Sequence, residues 1–228
     1  MPILKIHKYI GETPLEAIRK LNIPGKISYA GRLDPMAEGQ LLVLTGDDCQ
    51  HQNDYHNLDK RYRFELLLGL TTDSYDTLGL VKNIPNPDSN HISKRILDYC
   101  GKRSQSYPPF SSVRVKGKPL WYYAKNNLMD TVQDGIPCKT VQIYSSRIIC
   151  HSYISKASLV SRIQANIDKI SAKYDFRQAE IKKQWATIAN REYPVIEVEM
   201  LVSAGAYIRG ICHDMGGMAL SINRVECI

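Results

Sequence analysis

The most constraining feature of the sequence is a glycine-framed loop that leads directly into a short apolar run. Residues 41–44 are four consecutive apolar residues, which is typical of a buried strand. Gly31 and Gly39 flank the loop and permit backbone conformations that other residues resist. Between them, Pro35 fixes its own φ and disfavours helical geometry at Asp34. The segment therefore predicts a carboxylate on a stiff loop at the edge of a sheet.

Taken alone, Asp34 has an ordinary explanation. Aspartate is common in turns because its side chain accepts hydrogen bonds from nearby backbone. This explanation is favoured for an isolated loop. A functional role for Asp34 therefore requires partners from other segments of the chain.

Length, composition and charge describe a globular chain with a basic surface. The 228 residues suffice for one large domain or two small ones. The hydrophobic fraction of 43% and the charged fraction of 23% are typical of soluble proteins. A net charge of +7 suits a polyanionic partner such as nucleic acid, although many proteins without such a partner are equally basic.

Cysteine usage and hydropathy favour a reduced compartment. The six cysteines form no CxxC pair, and their wide spacing fits neither a zinc site nor a disulfide framework. His51, Asp54 and His56 lack regular metal-ligand spacing, so residues 49–59 are predicted to be a solvated loop. The N-terminus has no signal-peptide core, and no apolar run reaches the length of a membrane span. We expect an intracellular protein, cytoplasmic or organellar, without a bound metal or a membrane partner.

Hydrophobic periodicity predicts an α+β fold, a mainly antiparallel sheet with helices packed on it. The clearest strand contains Tyr62, because residues 61–68 alternate between polar and apolar side chains. Thr13 followed by Pro14 predicts the N-cap and first position of a helix. Further strands are predicted at 3–7, 41–44, 141–150 and 195–202, and further helices at 93–101 with Leu97 and Cys100 facing the core, from Trp121 onward, and from about Tyr207.

Residues 154–190 differ in character from the rest of the chain. Apolar residues recur there at steps of three and four, which predicts one amphipathic helix or two in series. The segment carries seven lysines and arginines against three acids, a net charge of +4. Two interpretations remain open: a helix pair with a solvated basic face, packed on the domain, or a basic arm that follows a nucleic-acid backbone.

Three residues near the ends of predicted elements are candidates for a single cleft: Asp34, Tyr62 and Arg209. A guanidinium beside a carboxylate orients it, and an aromatic ring offers a stacking face. The sequence has no phosphate-binding loop, metal cage or Ser-His pair, which disfavours hydrolysis. The set suits nucleophilic or acid–base chemistry by one aspartate on a flat ring.

Five blocks of the sequence resemble one known family. Residues 31–46, GRLDPMAEGQLLVLTG, resemble the catalytic motif of the TruB family of tRNA pseudouridine synthases. Any one block would be weak evidence, but five in family order over most of the chain make the resemblance specific. The other four are KYIG at residues 8–11, KRYR at 60–63 followed by GLTTDSYDTLG at 69–79, residues 105–124 with their paired prolines, and SAGAYIR at 203–209.

The resemblance implies isomerisation of uridine to pseudouridine in the T loop of tRNA, of the tRNA pseudouridine-55 synthase type, without a cofactor. The target base would be flipped out of the RNA. Asp34 would detach the base from its sugar, by covalent attack or by acid–base steps, with Arg209 paired to it and Tyr62 stacked on the base. Other expected substrate and RNA contacts are Lys8, Tyr29, Arg32, Arg61, Tyr207 and, as an apolar site residue, Val225.

The sequence also departs from the family pattern. Tyr29 stands where the family usually has a histidine that intercalates at the flipped base. Residues 154–190 form an insertion where the family has a short connection, and no C-terminal PUA-type RNA-binding domain is expected after Ile228. We therefore predict one catalytic domain over residues 1–228, acting as a monomer. We hypothesise that its basic insertion partly replaces the RNA contacts of the missing domain.

Other functions compatible with the sequence are a pseudouridine synthase that acts on another RNA, such as ribosomal RNA, and a tRNA-binding chaperone with weak or no catalysis. A structural domain of a larger ribonucleoprotein is a third. The presence of Asp34, Tyr62 and Arg209 together favours catalysis, because RNA binding alone gains nothing from a carboxylate that faces phosphates.

Overall fold

The structure is a computed structural model that describes residues 3–228. It has the predicted α+β architecture, with helices on both faces of a large sheet. The strands are β1 (Leu4–Lys8), β2 (Ile27–Ala30), β3 (Ala37–Thr45), β4 (Lys60–Leu68), β5 (Leu70–Thr72), β6 (Val81–Asn83), β7 (Gly101–Ser106), β8 (Arg114–Val115), β9 (Lys118–Pro119), β10 (Cys138–Ser155), β11 (Glu192–Val202) and β12 (Gly217–Cys227). The helices are α1 (Pro14–Arg19), α2 (Gln52–His56), α3 (Ser89–Leu97), α4 (Leu120–Lys125), α5 (Lys156–Ile167), α6 (Gln178–Trp185) and α7 (Ile208–Asp214), with 3₁₀ turns at Gly46–His51, Met129–Thr131 and Gln133–Gly135.

The main sheet has eight strands in the order β1-β3-β12-β4-β11-β10-β7, with β2 also paired to β3. Its pairs are antiparallel except for β3 and β12, so the predicted antiparallel character is confirmed with one exception. The sequence patterns did not predict β12, which lies near the centre of the sheet. Its polar residues, including Asn223 and Arg224, interrupt the apolar pattern that would mark a central strand.

Gly39 makes the parallel pairing of β3 and β12 possible. Its φ is +113°, a conformation that other residues rarely adopt. A Cβ at this position would lie 2.2 Å from the backbone oxygen of Arg224. The glycine that follows Asp34 in the sequence therefore lets β12 approach the loop that carries this aspartate.

The two faces of the sheet bury different helices. Along β4, the side chains of Tyr62, Phe64 and Leu66 belong to one core cluster, which also includes residues of α3 and α7. Leu67 points the other way and joins a second cluster with residues of α5 and α6. The alternation predicted for β4 is confirmed, and it assigns Tyr62 to the face that carries α7.

The helices α5 and α6 are packed on the domain, so the prediction of two helices in series is confirmed and a projecting arm is wrong. Leu159, Ile163, Ile181 and Trp185 are at most 1% exposed. The indole Nε1 of Trp185 donates a hydrogen bond of 3.3 Å to the backbone oxygen of Gly79. Four of the seven basic residues of 154–190 form ion pairs within the protein: Arg162 with Glu65, Lys173 with Glu16, Arg177 with Asp73, and Lys182 with Asp168.

The predicted N-cap of α1 is confirmed, whereas the predicted bounds of α3 are wrong. Thr13 caps α1 as predicted, in a reciprocal capping box with Glu16. The helix predicted at 93–101 begins at Ser89 instead, because the Asp88 side chain accepts a hydrogen bond from the backbone N–H of Asn90 and serves as the N-cap. As a result Leu97 is the last residue of α3 and is exposed, and Cys100 lies beyond the helix and is also exposed.

The prediction of an irregular loop at 49–59 is wrong. Most of the segment is helical, in the 3₁₀ turn Gly46–His51 and in α2. Neither element has a fully buried residue, so the sequence shows no apolar stripe there. No helix within residues 3–228 is long and apolar enough to cross a membrane.

The packing of α5 predicts that its apolar face contributes to global stability. Leu159→Ala removes a fully buried side chain and should lower the free energy of unfolding by about 2–5 kcal/mol in urea titrations. Leu97→Ala is the matched control, because Leu97 also lies in a helix but is 53% exposed. This substitution should change the free energy of unfolding by less than about 0.5 kcal/mol. Equal effects of the two changes would contradict the packing described for α5.

Candidate active site

A cavity of about 940 Å³ lies where the β2–β3 loop, β4 and the start of α7 meet. Asp34, Tyr62 and Arg209 all line it, so the structure brings together the three residues singled out from the sequence. Asp34 lies in the loop between β2 and β3, Tyr62 in β4, and Arg209 in the first turn of α7. They come from three distant parts of the chain.

Arg209 is the centre of the site. Its side chain is 2% exposed, whereas that of Asp34 is 28% exposed. The guanidinium Nε donates to Asp34 Oδ2 at 2.8 Å. Its Nη1 donates to the backbone oxygen of Ser74 at 2.9 Å, and its Nη2 to that of Phe110 at 3.0 Å. One buried cation therefore fixes the carboxylate and two further loops in a single geometry.

The start of α7, which carries Arg209, is itself clamped by a buried glutamine. Gln105, 5% exposed, accepts a hydrogen bond from the Tyr207 N–H at 2.9 Å and donates one to the Tyr207 oxygen at 3.0 Å. These two bonds link β7 to the residue before the helix. The direction in which α7 leaves the loop, and with it the position of Arg209, is thereby set.

Backbone contacts hold the loop around Asp34. The Gly11 N–H donates to the Pro35 oxygen at 2.8 Å, and the Ala37 N–H donates to the Asp34 oxygen at 3.0 Å. Lys8, which is fully buried, donates from Nζ to the Ala37 oxygen at 2.6 Å. The stiff loop predicted from the sequence is thus anchored by β1 and the turn that follows it.

Arg224 of β12 also lines the cavity and supports the same loop. It is 1% exposed, and it donates from Nε to the Gln40 oxygen at 2.7 Å and from Nη2 to the Gly31 oxygen at 2.9 Å. Burial raises the pKa of the Tyr62 phenol above its ordinary value of 10, and the nearby charge of Arg224 opposes this only in part, so the group remains protonated at neutral pH.

A second carboxyl group lies close to Arg209. Asp76 is 7% exposed, and its Oδ1 accepts hydrogen bonds from the Ser74 hydroxyl at 2.7 Å and from the Leu78 N–H at 2.9 Å. Burial raises the pKa of Asp76, and the charge of Asp34 raises it further, while Arg209 opposes both effects. Asp76 therefore organises the turn between β5 and β6 that contacts Arg209.

The arrangement can hold a flat, neutral ring against one oriented carboxylate. Ile222 and Leu33 supply apolar walls, and Tyr107 and Tyr207 contribute aromatic edges whose ring centroids lie 5.7 Å apart. Among residues 3–228, no group of three or more histidine, cysteine or acidic side chains is placed to hold a metal ion.

The sequence model of a family described as "TruB family pseudouridylate synthase (N terminal domain)" matches residues 19–167. That match covers more than half of the chain and includes the loop that carries Asp34. The chain belongs to the TruB family.

Curated relatives agree with this assignment to the TruB family. The "tRNA pseudouridine synthase B" of Blochmanniella floridana is 27% identical over 204 residues, which are 89% of this chain and 63% of that protein. The protein of the same name from Chlamydia pneumoniae is 29% identical over 224 residues, 95% of this chain and 75% of that protein. The chain spans less than two thirds of the length of the Blochmanniella relatives, at 63% and 62%.

Solved structures share the fold of this TruB-family chain. A Cbf5-Nop10-Gar1 complex contains a chain that matches 99% of this one with a TM-score of 0.56 and 15% identity. An H/ACA RNP bound to a substrate RNA containing 2′-deoxyuridine contains another, with a TM-score of 0.54 and 14% identity. This chain covers 48% and 47% of those chains. The likeness supports the α+β sheet architecture.

The other residues predicted from the TruB resemblance fall into two groups. Tyr29, Arg32 and Tyr207 line the cavity. Lys8 is buried against backbone oxygens, and Arg61 faces away from Tyr62 and pairs with Glu226. Val225 is 43% exposed and does not line the cavity. The apolar residue of β12 that lines the cavity is Ile222.

Several residues that shape the TruB-type cavity were not predicted. Arg224 and Gln105 act through hydrogen bonds to distant backbone, which no local pattern reveals. Asp76 accepts its hydrogen bonds within its own turn, from Ser74 and Leu78, and only the tertiary fold places it near Arg209. Asp76 and Gln105 do lie inside blocks that resemble the family, and this was the available signal. Lys60, the first residue of β4, also lines the cavity and was not predicted. It is 4% exposed, and its Nζ donates to the His56 backbone oxygen at 2.7 Å.

Lys60 should make stability depend on pH in the alkaline range. Burial lowers the pKa of Lys60 to about 8 in the folded protein, whereas the unfolded chain keeps the ordinary value of 10.5. Between these values the unfolded state binds more protons, so the folded state gains stability as pH rises. Below pH 8 both states are protonated, and the penalty of burying the charge is fully present.

The measurement compares urea unfolding of the wild type and Lys60→Met at about pH 7.5 and 9.5. The stability of the wild type relative to the variant should rise by about 1–2 kcal/mol over this interval. Lys5→Met, at an exposed position in β1, controls for the loss of one positive charge. A difference between wild type and Lys60→Met that does not change with pH would contradict a charged, buried Lys60.

Proposed function

We propose that this chain is a tRNA pseudouridine synthase that isomerises a uridine of the T loop through Asp34. The observation that carries the proposal is the Asp34–Arg209 pair, joined at 2.8 Å in a cavity that also holds Tyr62, within a chain of the TruB family. The names of the relatives support tRNA as the substrate class. The net charge of +7 is compatible with an RNA partner.

The reaction rearranges bonds within one nucleotide. The glycosidic bond from N1 of uracil to C1′ of ribose breaks, the base turns, and a bond from C5 to C1′ forms. The proton on C5 leaves and N1 gains a proton, so product and substrate are isomers. No electrons are exchanged with another molecule, so the reaction needs no redox cofactor. Asp34 would act at the sugar or the base, either as a nucleophile that forms a covalent intermediate or as an acid–base group.

Arg209 would position Asp34 and leave the carboxylate open to the cavity. Only one carboxylate oxygen, Oδ2, accepts from the guanidinium Nε, and the Asp34 side chain keeps 28% of its surface exposed. The remaining donors of Arg209 are bonded to backbone at Ser74 and Phe110. Such a buried, bonded cation cannot follow the substrate, so the orientation of Asp34 is set before RNA binds.

Tyr62 would act by stacking on the uracil ring. Its phenol is buried, and that burial raises its pKa. A phenol in this state is a poor base at neutral pH. We therefore assign Tyr62 the role of stacking on the face of the flipped base. This contact would offset part of the free energy lost when the base unstacks from the RNA.

We further propose that residues 1–228 act as one catalytic domain and as a monomer, with Tyr29 and Arg32 contacting the RNA around the flipped nucleotide. Both residues line the cavity, and Tyr29 could stack where the family usually has histidine. Lys8 is fully buried and would support the Asp34 loop rather than touch RNA. Arg61 and Val225 are partly exposed outside the cavity lining, so they would contact RNA only beyond the flipped nucleotide.

The test is release of tritium from a tRNA transcript labelled at C5 of uracil. Asp34→Asn should slow release by a factor of about 10²–10⁴ or more, because it removes the carboxylate that acts on the nucleotide and that Arg209 orients. Affinity for the transcript should stay within a few fold. Asp54→Asn, at a side chain that is 77% exposed in α2, is the matched control and should turn over at the wild-type rate.

Two results would count against the proposal. Tritium release by Asp34→Asn at the wild-type rate would remove the assigned role of Asp34. Binding of tRNA by the wild type without tritium release would favour an RNA chaperone. A separate T-arm stem-loop and a ribosomal RNA fragment, assayed in the same way, decide which RNA is the substrate.

A further inference from the structure

The loop between α5 and α6, residues 168–177, forms part of the cavity wall. Lys173, Tyr174, Asp175, Phe176 and Arg177 all line the cavity that holds Asp34. The matched region of the family model ends at residue 167, the last residue of α5. The loop therefore adds surface to the candidate active site from outside the matched region.

The charges that this loop presents to the cavity are paired within the protein. Lys173 pairs with Glu16 at 2.7 Å, and Arg177 pairs with Asp73 at 2.8 Å. Asp175 pairs with Lys125 of α4 at 2.7 Å. The hypothesis that this insertion binds RNA through its positive charge thus loses its support at the place where the insertion reaches the cavity.

The loop instead offers flat surfaces. The rings of Tyr174 and Phe176 are half-buried and stacked, with centroids 5.5 Å apart and planes 24° from parallel. The guanidinium carbon of Arg177 lies 4.8 Å from the centroid of the Phe110 ring. Trp121 of α4, which is 45% exposed, lines the same cavity. Aromatic rings and arginine planes are the groups on which unpaired bases of RNA stack.

Contacts on two sides hold these rings in place before any ligand binds. The Tyr174 hydroxyl lies 3.4 Å from the hydroxyl of Thr13, at the start of α1. The Gln178 side chain accepts from the Phe176 N–H at 2.9 Å and donates to the Tyr174 oxygen at 2.6 Å. A preorganised surface loses little conformational entropy on binding, which favours affinity.

We infer that Tyr174, Phe176 and Arg177, with Phe110 and Trp121, form a second base-stacking subsite at the candidate active site. Its ligand would be an unpaired nucleobase of the same RNA, next to the uridine that enters the site of Asp34. The inference rests on the proposed function for the identity of the RNA. It assigns the insertion a role in substrate positioning through stacking.

The experiment measures the affinity of a T-arm stem-loop RNA in the Asp34→Asn background, where turnover does not interfere. Phe176→Leu keeps an apolar side chain against the core but removes the flat ring. It should weaken binding about 5- to 100-fold. The slope of log affinity against log salt should stay unchanged, because no phosphate contact is lost. Urea unfolding of each variant confirms that it is folded.

Matched variants separate stacking from other effects. Tyr174→Phe removes only the hydroxyl and should bind within about twofold of the parent, whereas Tyr174→Leu should bind more weakly, as Phe176→Leu does. Tyr153→Ala is the control for loss of an aromatic ring elsewhere, at a side chain that is 67% exposed on β10 and should not affect binding.

RNAs that lack one base identify the stacked nucleotide. Each nucleotide next to the target uridine is replaced in turn by an abasic one. At one position the abasic RNA should bind the parent and Phe176→Leu equally, since the ring then has no base to meet. Equal affinities of parent, Phe176→Leu and Tyr174→Leu for the intact RNA would overturn the subsite.

The outcome is separable from that of the proposed function. If wild-type protein releases tritium but the ring variants bind RNA normally, the subsite is wrong and the proposed function stands. If the ring variants lose affinity but wild-type protein releases no tritium, the subsite stands and the proposed function is wrong.

Discussion

The interaction on which the candidate site depends is the buried guanidinium of Arg209. Three of its nitrogens are bonded to three separate segments, at Asp34, Ser74 and Phe110. A cation that is 2% exposed is stable there only because each donor has an acceptor, and the carboxylate offsets part of the cost of burying its charge. Without it, two backbone oxygens would lose their partner, and the orientation of Asp34 would no longer be fixed. The fold and the chemistry therefore share one residue.

A second buried arginine extends this principle to the opposite side of the loop. Arg224 bonds the oxygens of Gly31 and Gln40, so the segment that carries Asp34 is supported by β12 as well as by α7. The close approach of β12 requires a residue without a side chain at position 39. The glycines that frame Asp34 thus act through packing: they admit the arginine-bearing strand, and the strand then holds the loop.

Sequence reasoning succeeded where a local pattern had one dominant cause. The alternation in β4, the N-cap at Thr13 and the apolar run in β3 were each predicted from spacing or residue type. Asp34 could not be told from an ordinary turn aspartate on local grounds. Its grouping with Tyr62 and Arg209, which lie near the ends of other predicted elements, and then the resemblance of distant blocks singled it out. The strand β12 was missed because polar residues interrupt its apolar pattern, and the site residues Arg224 and Gln105 because their contacts are with distant backbone. Nothing in hydrophobic periodicity encodes such bonds.

The net charge of residues 154–190 does not by itself identify a surface that binds RNA. The net charge of +4 over residues 154–190 left open a basic arm that follows a nucleic-acid backbone, yet four of its cations pair with acids of the same chain. Each such pair removes a charge that could have displaced counterions from RNA. The apolar faces of α5 and α6 are covered by the sheet, so the part of the insertion that reaches the cavity is the loop between them. A loop whose cavity-lining charges are paired and which carries two stacked rings can act on RNA through base surfaces and shape rather than through phosphate attraction.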